Sequence, residues 1–171
     1  MAIHKPKILY VMGVSGSGKT TIGKLLAKAL NFPFFDGDDF HPRSNIDKMK
    51  SGKPLNDHDR KGWLEKLNHL AIQHKEKGAV IVCSALKQSY RDILGKHLLD
   101  KHKFVFLDGT IAEISNRLKE RKNHFMPSGL LQSQFDTLEK PRQAITVSIA
   151  KTPEEIMESI LKTFEKGKAP D

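Results

Sequence analysis

A chain of 171 residues has room for one domain with a full core. Its 38% hydrophobic and 29% charged content excludes a disordered chain, and no stretch approaches the apolar length of a transmembrane helix. The net charge of +9 admits a phosphate-rich ligand or a nucleic acid. The basic residues form no dense block, however, and two tyrosines and one tryptophan offer few platforms for stacking bases, so small anionic ligands are the expectation.

The first predicted element is a strand, Ile8–Met12, a short apolar run with few residues before it and no expected signal peptide. Directly after it, Gly13-Val14-Ser15-Gly16-Ser17-Gly18-Lys19-Thr20 reads G-x-x-x-x-G-K-[ST]. Polyphosphate needs inward-pointing N–H groups, a mobile positive charge and a hydroxyl for Mg²⁺; the glycines, Lys19 and Thr20 supply these in turn. A helix over Thr20–Leu30 follows, with Ile22, Leu25, Leu26, Ala29 and Leu30 on one face. Strand, glycine loop and helix form the context that a phosphate-binding loop requires.

Further strands are predicted at Pro33–Asp36, Ala79–Ser84, Phe104–Asp108 and Ala144–Ile149. Helices are predicted at Arg60–Lys77, Gln88–Leu99 and Ile111–Lys122, with a last one starting at the capping box Thr152-Pro153-Glu154-Glu155. Alternating β and α elements imply a parallel sheet with helices on both faces, and ligands beyond the carboxyl ends of its strands. The tail Gly167–Asp171 reads as frayed.

The residues after each strand are therefore the candidates for chemistry. Asp36, Asp38 and Asp39 follow the second strand; one carboxylate suits a metal-bound water and another the proton of an attacking hydroxyl. Arg60 opens the next helix with a planar fork suited to a carboxylate. Lys87 and Arg91 lie one helical turn apart after the third strand. Cys83 there reads as a small core residue, and as the one cysteine it rules out an intramolecular disulfide and fits a reducing cytoplasm. Arg117 and Arg121 share a helix face ahead of a Pro/Gly segment, an arrangement that suggests a mobile lid closing over phosphates. The eight histidines are scattered and show no metal-binding spacing.

Several blocks together resemble the gluconate kinases, the small P-loop type related to shikimate and nucleoside-monophosphate kinases. They are Gly13–Thr20; Asp36–Pro42 with Asn45, Lys48 and Met49; Gly52–Leu55 with Asp57, Asp59, Arg60 and Trp63; Cys83–Lys87 with Tyr90, Arg91 and Asp92; and His124–Pro127 with Leu130, Leu131, Ser133, Gln134, Phe135, Leu138, Glu139 and Pro141. The resemblance implies a three-layer α/β P-loop kinase fold, with a five-stranded parallel sheet, helices on both faces and a mobile lid. It implies one kinase domain over residues 1–171, with the lid at about 121–135 and the acceptor region at about 38–65.

The implied activity is ATP-dependent phosphorylation of D-gluconate at its 6-hydroxyl, in a cytoplasmic homodimer with no nucleic-acid or membrane partner. Residues 13–20 and Arg117 would hold the nucleotide, Thr20 and Asp36 the Mg²⁺. Lys19, Asp38 and Arg121 would act in catalysis; Asp38, Arg60, Lys87 and Arg91 would bind gluconate. The competing readings are a P-loop kinase for another small metabolite, such as shikimate or a nucleotide, and a nucleic-acid-binding NTPase.

Overall fold

The computed structural model describes residues 5–121 and 128–166. Five parallel strands form one sheet: β1 (Ile8–Met12), β2 (Phe34–Asp36), β3 (Ala79–Val82), β4 (His102–Asp108) and β5 (Ile145–Ser148), in the order β2-β3-β1-β4-β5. The central strand β1 pairs Tyr10 with Ile81 on one side and with Phe104 on the other. Every residue of β1 is buried, as an unbroken apolar run covered on both faces must be.

Alternation along the strands sorts their side chains into two cores. Leu9, Val11, Val80, Val82, Val105 and Leu107 face the side covered by α1 (Lys19–Leu30), α5 (Ile111–Glu120) and α7 (Pro153–Lys166). Ile8, Tyr10, Met12, Ile81, Phe104 and Phe106 face α3 (Asp57–His74) and α4 (Gln88–Leu94). The remaining α-helices of the described residues are α2 (Arg43–Lys50) and α6 (Ser128–Thr137).

Three helices differ from expectation for identifiable reasons. Helix α3 starts three residues before Arg60, because Asn56 and Asp59 form a reciprocal capping box, each accepting the other's backbone N–H at 2.8 and 3.0 Å. Helix α4 stops at Leu94 instead of Leu99. The Leu94 carbonyl is taken by Tyr10 Oη and Asn68 Nδ2, both at 2.8 Å, and left-handed residues follow at His97 and Leu99. Helix α2 was not expected, since its polar stretch RSNIDKMK carries almost no apolar stripe. Its one buried residue, Asn45, ties it down with a bond from Nδ2 to Asp59 O at 3.0 Å.

The expected lid at 121–135 falls partly on residues 122–127, outside the described residues, as does the tail at 167–171. No described helix is long and apolar enough to cross a membrane.

Candidate active site

The loop from β1 to α1 closes at the carboxyl edge of the sheet, beside the ends of β2 and β3. Gly16 (φ 83°) and Gly18 (φ 95°) sit in the left-handed region that side chains avoid, which lets the backbone curl around a cavity. Gly18 is the N-cap of α1, so the helix begins with its free N–H groups turned to that cavity. Lys19 folds back across the loop, and its Nζ donates to Gly13 O and Val14 O, both at 3.0 Å.

Burial pushes the Lys19 ammonium below its usual pKa, against the opposing fields of Asp38, Cys83 and Asp36. The partly buried cation therefore gains from any anion that enters.

A cleft of about 360 Å³ opens over this loop. It is walled by Ser15, Gly18, Lys19 and Thr20 on one side and by Asp36, Asp38, Cys83 and Ser84 on the other, with Arg121 at its edge. The structure thus brings together the phosphate loop, both expected carboxylates and Arg121, the residue that caps the end of α5. Arg117, the second arginine, lies beside Gly18: its Nη1 would stand 3.7 Å from a Cβ placed there. Its Nη2 donates to Ile149 O.

The two carboxylates have different settings. Asp36 ends β2 and caps the following 3₁₀ turn, Gly37–Phe40, accepting Asp38 N–H at 3.0 Å. That bond fixes Asp38 at the cleft. Desolvation at the cleft and the nearby Asp36 charge push the Asp38 carboxyl upward, an effect damped by the water that reaches it. The same side chain is 85% exposed, so water and ligands reach its oxygens directly.

His41 stands 4.0 Å from Asp38 and is held on its far side by Trp63, whose ring stacks on it at 4.0 Å and 17°. Trp63 is fixed in turn by a bond from Nε1 to Gly37 O at 2.8 Å. Desolvation pushes the His41 pKa down, outweighing Asp38, and nearby Arg60 pushes it further the same way. His41 is thus a neutral wall of the site.

Beyond His41 lies a second cluster. Asp57 accepts from Tyr90 Oη at 2.5 Å and from Lys87 Nζ at 3.2 Å, which hold its carboxyl below the usual range. Arg60 Nη1 donates to Leu55 O at 2.7 Å and to Tyr90 Oη at 3.3 Å. Arg60 and Lys87, predicted separately, therefore meet around one tyrosine.

Arg91 does not join them. It is 3% exposed and clamps Ala85 O at 2.6 Å and Glu139 O at 2.7 Å. Ala85 has a left-handed φ of 49°, and Arg91 holds that bend at the end of β3. The geometry makes Arg91 a support for the cleft wall, where the sequence suggested a ligand contact. Lys87 is the N-cap of α4 with extended backbone, while Arg91 lies inside the helix, so the two differ in depth although they are four residues apart.

The shikimate kinase family matches residues 15–165. The thermoresistant gluconokinase of Escherichia coli K12 is 44% identical over 173 residues, covering 96% of this chain and 97% of that protein. The chain belongs to the gluconokinase family.

The thermosensitive gluconokinase of the same organism is 52% identical over 134 residues, covering 77% of this chain and 71% of that protein. The crystal structure of a gluconokinase from Sinorhizobium meliloti superposes with a TM-score of 0.85 at 41% identity, covering 95% of this chain and 94% of that one. The shikimate kinase match describes the wider P-loop kinase group within which gluconokinases fall.

Two residues of the resemblance blocks to which the sequence assigns no role carry structural weight in this gluconokinase-family site. One is Asn45, whose Nδ2 also lies 3.3 Å from His41 Nδ1. The other is Gln134 on α6, whose carboxamide bonds to Ser15. Gln134 acts across 119 residues, which leaves no local spacing to read, whereas Asn45 joins His41 four residues away to Asp59 fourteen residues on.

Proposed function

We propose that this chain transfers the γ-phosphoryl group of ATP to the 6-hydroxyl of D-gluconate, giving 6-phospho-D-gluconate. The observation that carries the proposal is the cleft in which Asp38 faces the phosphate loop across a space open to a hydroxyl acceptor. The donor set fits a magnesium nucleotide. Thr20 offers a hydroxyl and Asp36 a carboxylate. Among the described residues no three His, Cys, Asp or Glu side chains gather as an all-protein metal cage. That is the pattern for Mg²⁺, which takes one or two protein ligands and fills its shell with phosphate and water oxygens.

ATP supplies the reactive phosphoryl group and Mg²⁺ the counter-charge on its oxygens. Backbone N–H groups of residues 13–20 hold the phosphates, and Lys19 neutralises charge as it shifts toward the leaving oxygen. Asp38 orients the acceptor hydroxyl and takes its proton as that oxygen bonds to phosphorus and the β–γ bridge breaks. Arg121 stabilises the phosphoryl oxygens in transfer, and Arg117 contributes to the nucleotide side. Arg60 and Lys87 meet the gluconate carboxylate and hydroxyls, while Arg91 holds the wall they stand on. A single kinase domain, a lid over 121–135, an acceptor region over 38–65, a homodimer and a cytoplasmic location belong to the same reading and rest on the resemblance.

Coupled ADP release should appear with Mg²⁺, ATP and gluconate, and should stay at background with shikimate, nucleoside monophosphates or neutral sugars. Signal with shikimate or a nucleotide in place of gluconate would transfer the acceptor site to the competing metabolite kinase. Arg60→Ala should raise KM for gluconate about tenfold or more, with KM for ATP nearly unchanged. The reverse pattern in steady-state kinetics would move Arg60 to the nucleotide side.

A further inference from the structure

Helix α6 reaches the phosphate loop through one side chain. Gln134 Oε1 accepts the backbone N–H of Ser15 at 2.7 Å, and Gln134 Nε2 donates to Ser15 Oγ at 3.0 Å. The partners are 119 residues apart, so this is a tertiary contact and no local cap. Ser15 is the third residue of the loop and lines the cleft with Lys19 and Arg121. Among the described residues no backbone carbonyl takes the Ser15 N–H. A carboxamide suits this place because it carries an acceptor and a donor side by side.

The helix behind Gln134 is well anchored. Leu131 is 5% exposed and belongs to the same core as Val14 and Ile114, and Phe135 and Leu138 pack against that core. Its far end is tied to the loop after β3: Glu139 N donates to Leu86 O at 2.8 Å, and Glu139 O accepts from Arg91. Helix α6 thus touches the phosphate loop through Gln134, and Glu139, two residues past its end, ties the chain to the segment that follows the β3 wall of the cleft. A long polar side chain loses much rotamer freedom when fixed by two bonds. Fixing it here sets the position of Ser15, at the rim where the transferring group must pass.

We propose that Gln134 is a positioning residue for phosphoryl transfer: its carboxamide latches Ser15 to α6 and so holds the rim of the phosphate loop and the β3 wall in one frame. The kinetic part rests on the kinase reading above; the latch itself does not. Two variants of the full chain test it. In the nucleotide-free protein, Gln134→Leu should speed hydrogen exchange at the Ser15 amide about tenfold or more, leaving the β1 amides as protected as before. Gln134→Glu keeps an acceptor for that N–H and should retain its protection.

In steady-state assays Gln134→Leu should lower kcat about tenfold or more with KM for gluconate within about twofold, and should raise the share of ADP released without gluconate. Gln134→Glu places a negative charge beside the phosphates and should instead raise KM for ATP. Unchanged Ser15 exchange in the leucine variant would overturn the latch. Accelerated exchange with unaltered kcat and coupling would overturn its role in transfer. A parent protein with no gluconate-dependent ADP release would sink the kinase reading alone, since the exchange experiment needs no substrate.

Discussion

Lys19→Ala is expected to lower kcat about 10²–10³-fold or more, the scale for removing one preorganised charge from a transition state. The ammonium is held by Gly13 O and Val14 O within the cleft, a short shift from where charge builds up. Its environment strengthens the effect. Burial disfavours the cation, and an incoming polyphosphate relieves that penalty most as negative charge shifts during transfer. His58→Ala is the control, since His58 is an exposed residue on the first turn of α3. Rapid-quench or coupled assays of the two variants should differ widely; equal losses would remove Lys19 from the chemistry.

Asp38→Asn should lower kcat about 10²–10⁴-fold at saturating gluconate, the range for losing a positioned general base. The amide keeps the size of the side chain, and the Asp38 backbone N–H keeps its bond to Asp36, so the fold around it should stand. The pH profile supplies an independent check. The base works in its ionised form, and its pKa is raised by desolvation and by Asp36. In the parent, kcat should therefore fall as pH drops through that raised value. In Asp38→Asn this acidic limb should disappear. Near-normal turnover in the variant, or an unchanged acidic limb, would give the base role to another group.

Much of the donor half was legible from sequence for a physical reason: it is built from contiguous residues. The strand Ile8–Met12, residues 13–20 and α1 follow one another, and each carries its own local pattern. The strand-end rule also led to Asp36 and Asp38, because a parallel sheet presents all its carboxyl ends on one edge.

The acceptor half was less legible. Arg60 and Lys87 were picked out singly, but their meeting at Tyr90 and Asp57 joins segments 30 residues or more apart. The depth of Arg91 was not legible, because spacing reports direction around a helix and says nothing of depth. Its 3% exposure goes with its bonds to Ala85 O after β3 and Glu139 O after α6, segments distant in sequence. The last turn of α4 failed for a similar reason, since the side chains that end it belong to β1 and α3.

Cys83 stands in the wall of the cleft, yet its thiol is 3% exposed and burial pushes its pKa up to about 12. Thiolate, the form that attacks electrophiles and oxidants, is therefore scarce at neutral pH. The cleft thus carries a sulfur atom kept in its less reactive, protonated form at neutral pH. A covalent ligand aimed at this cleft would do better to seek the Lys19 amine, which also lines it and whose pKa is lowered.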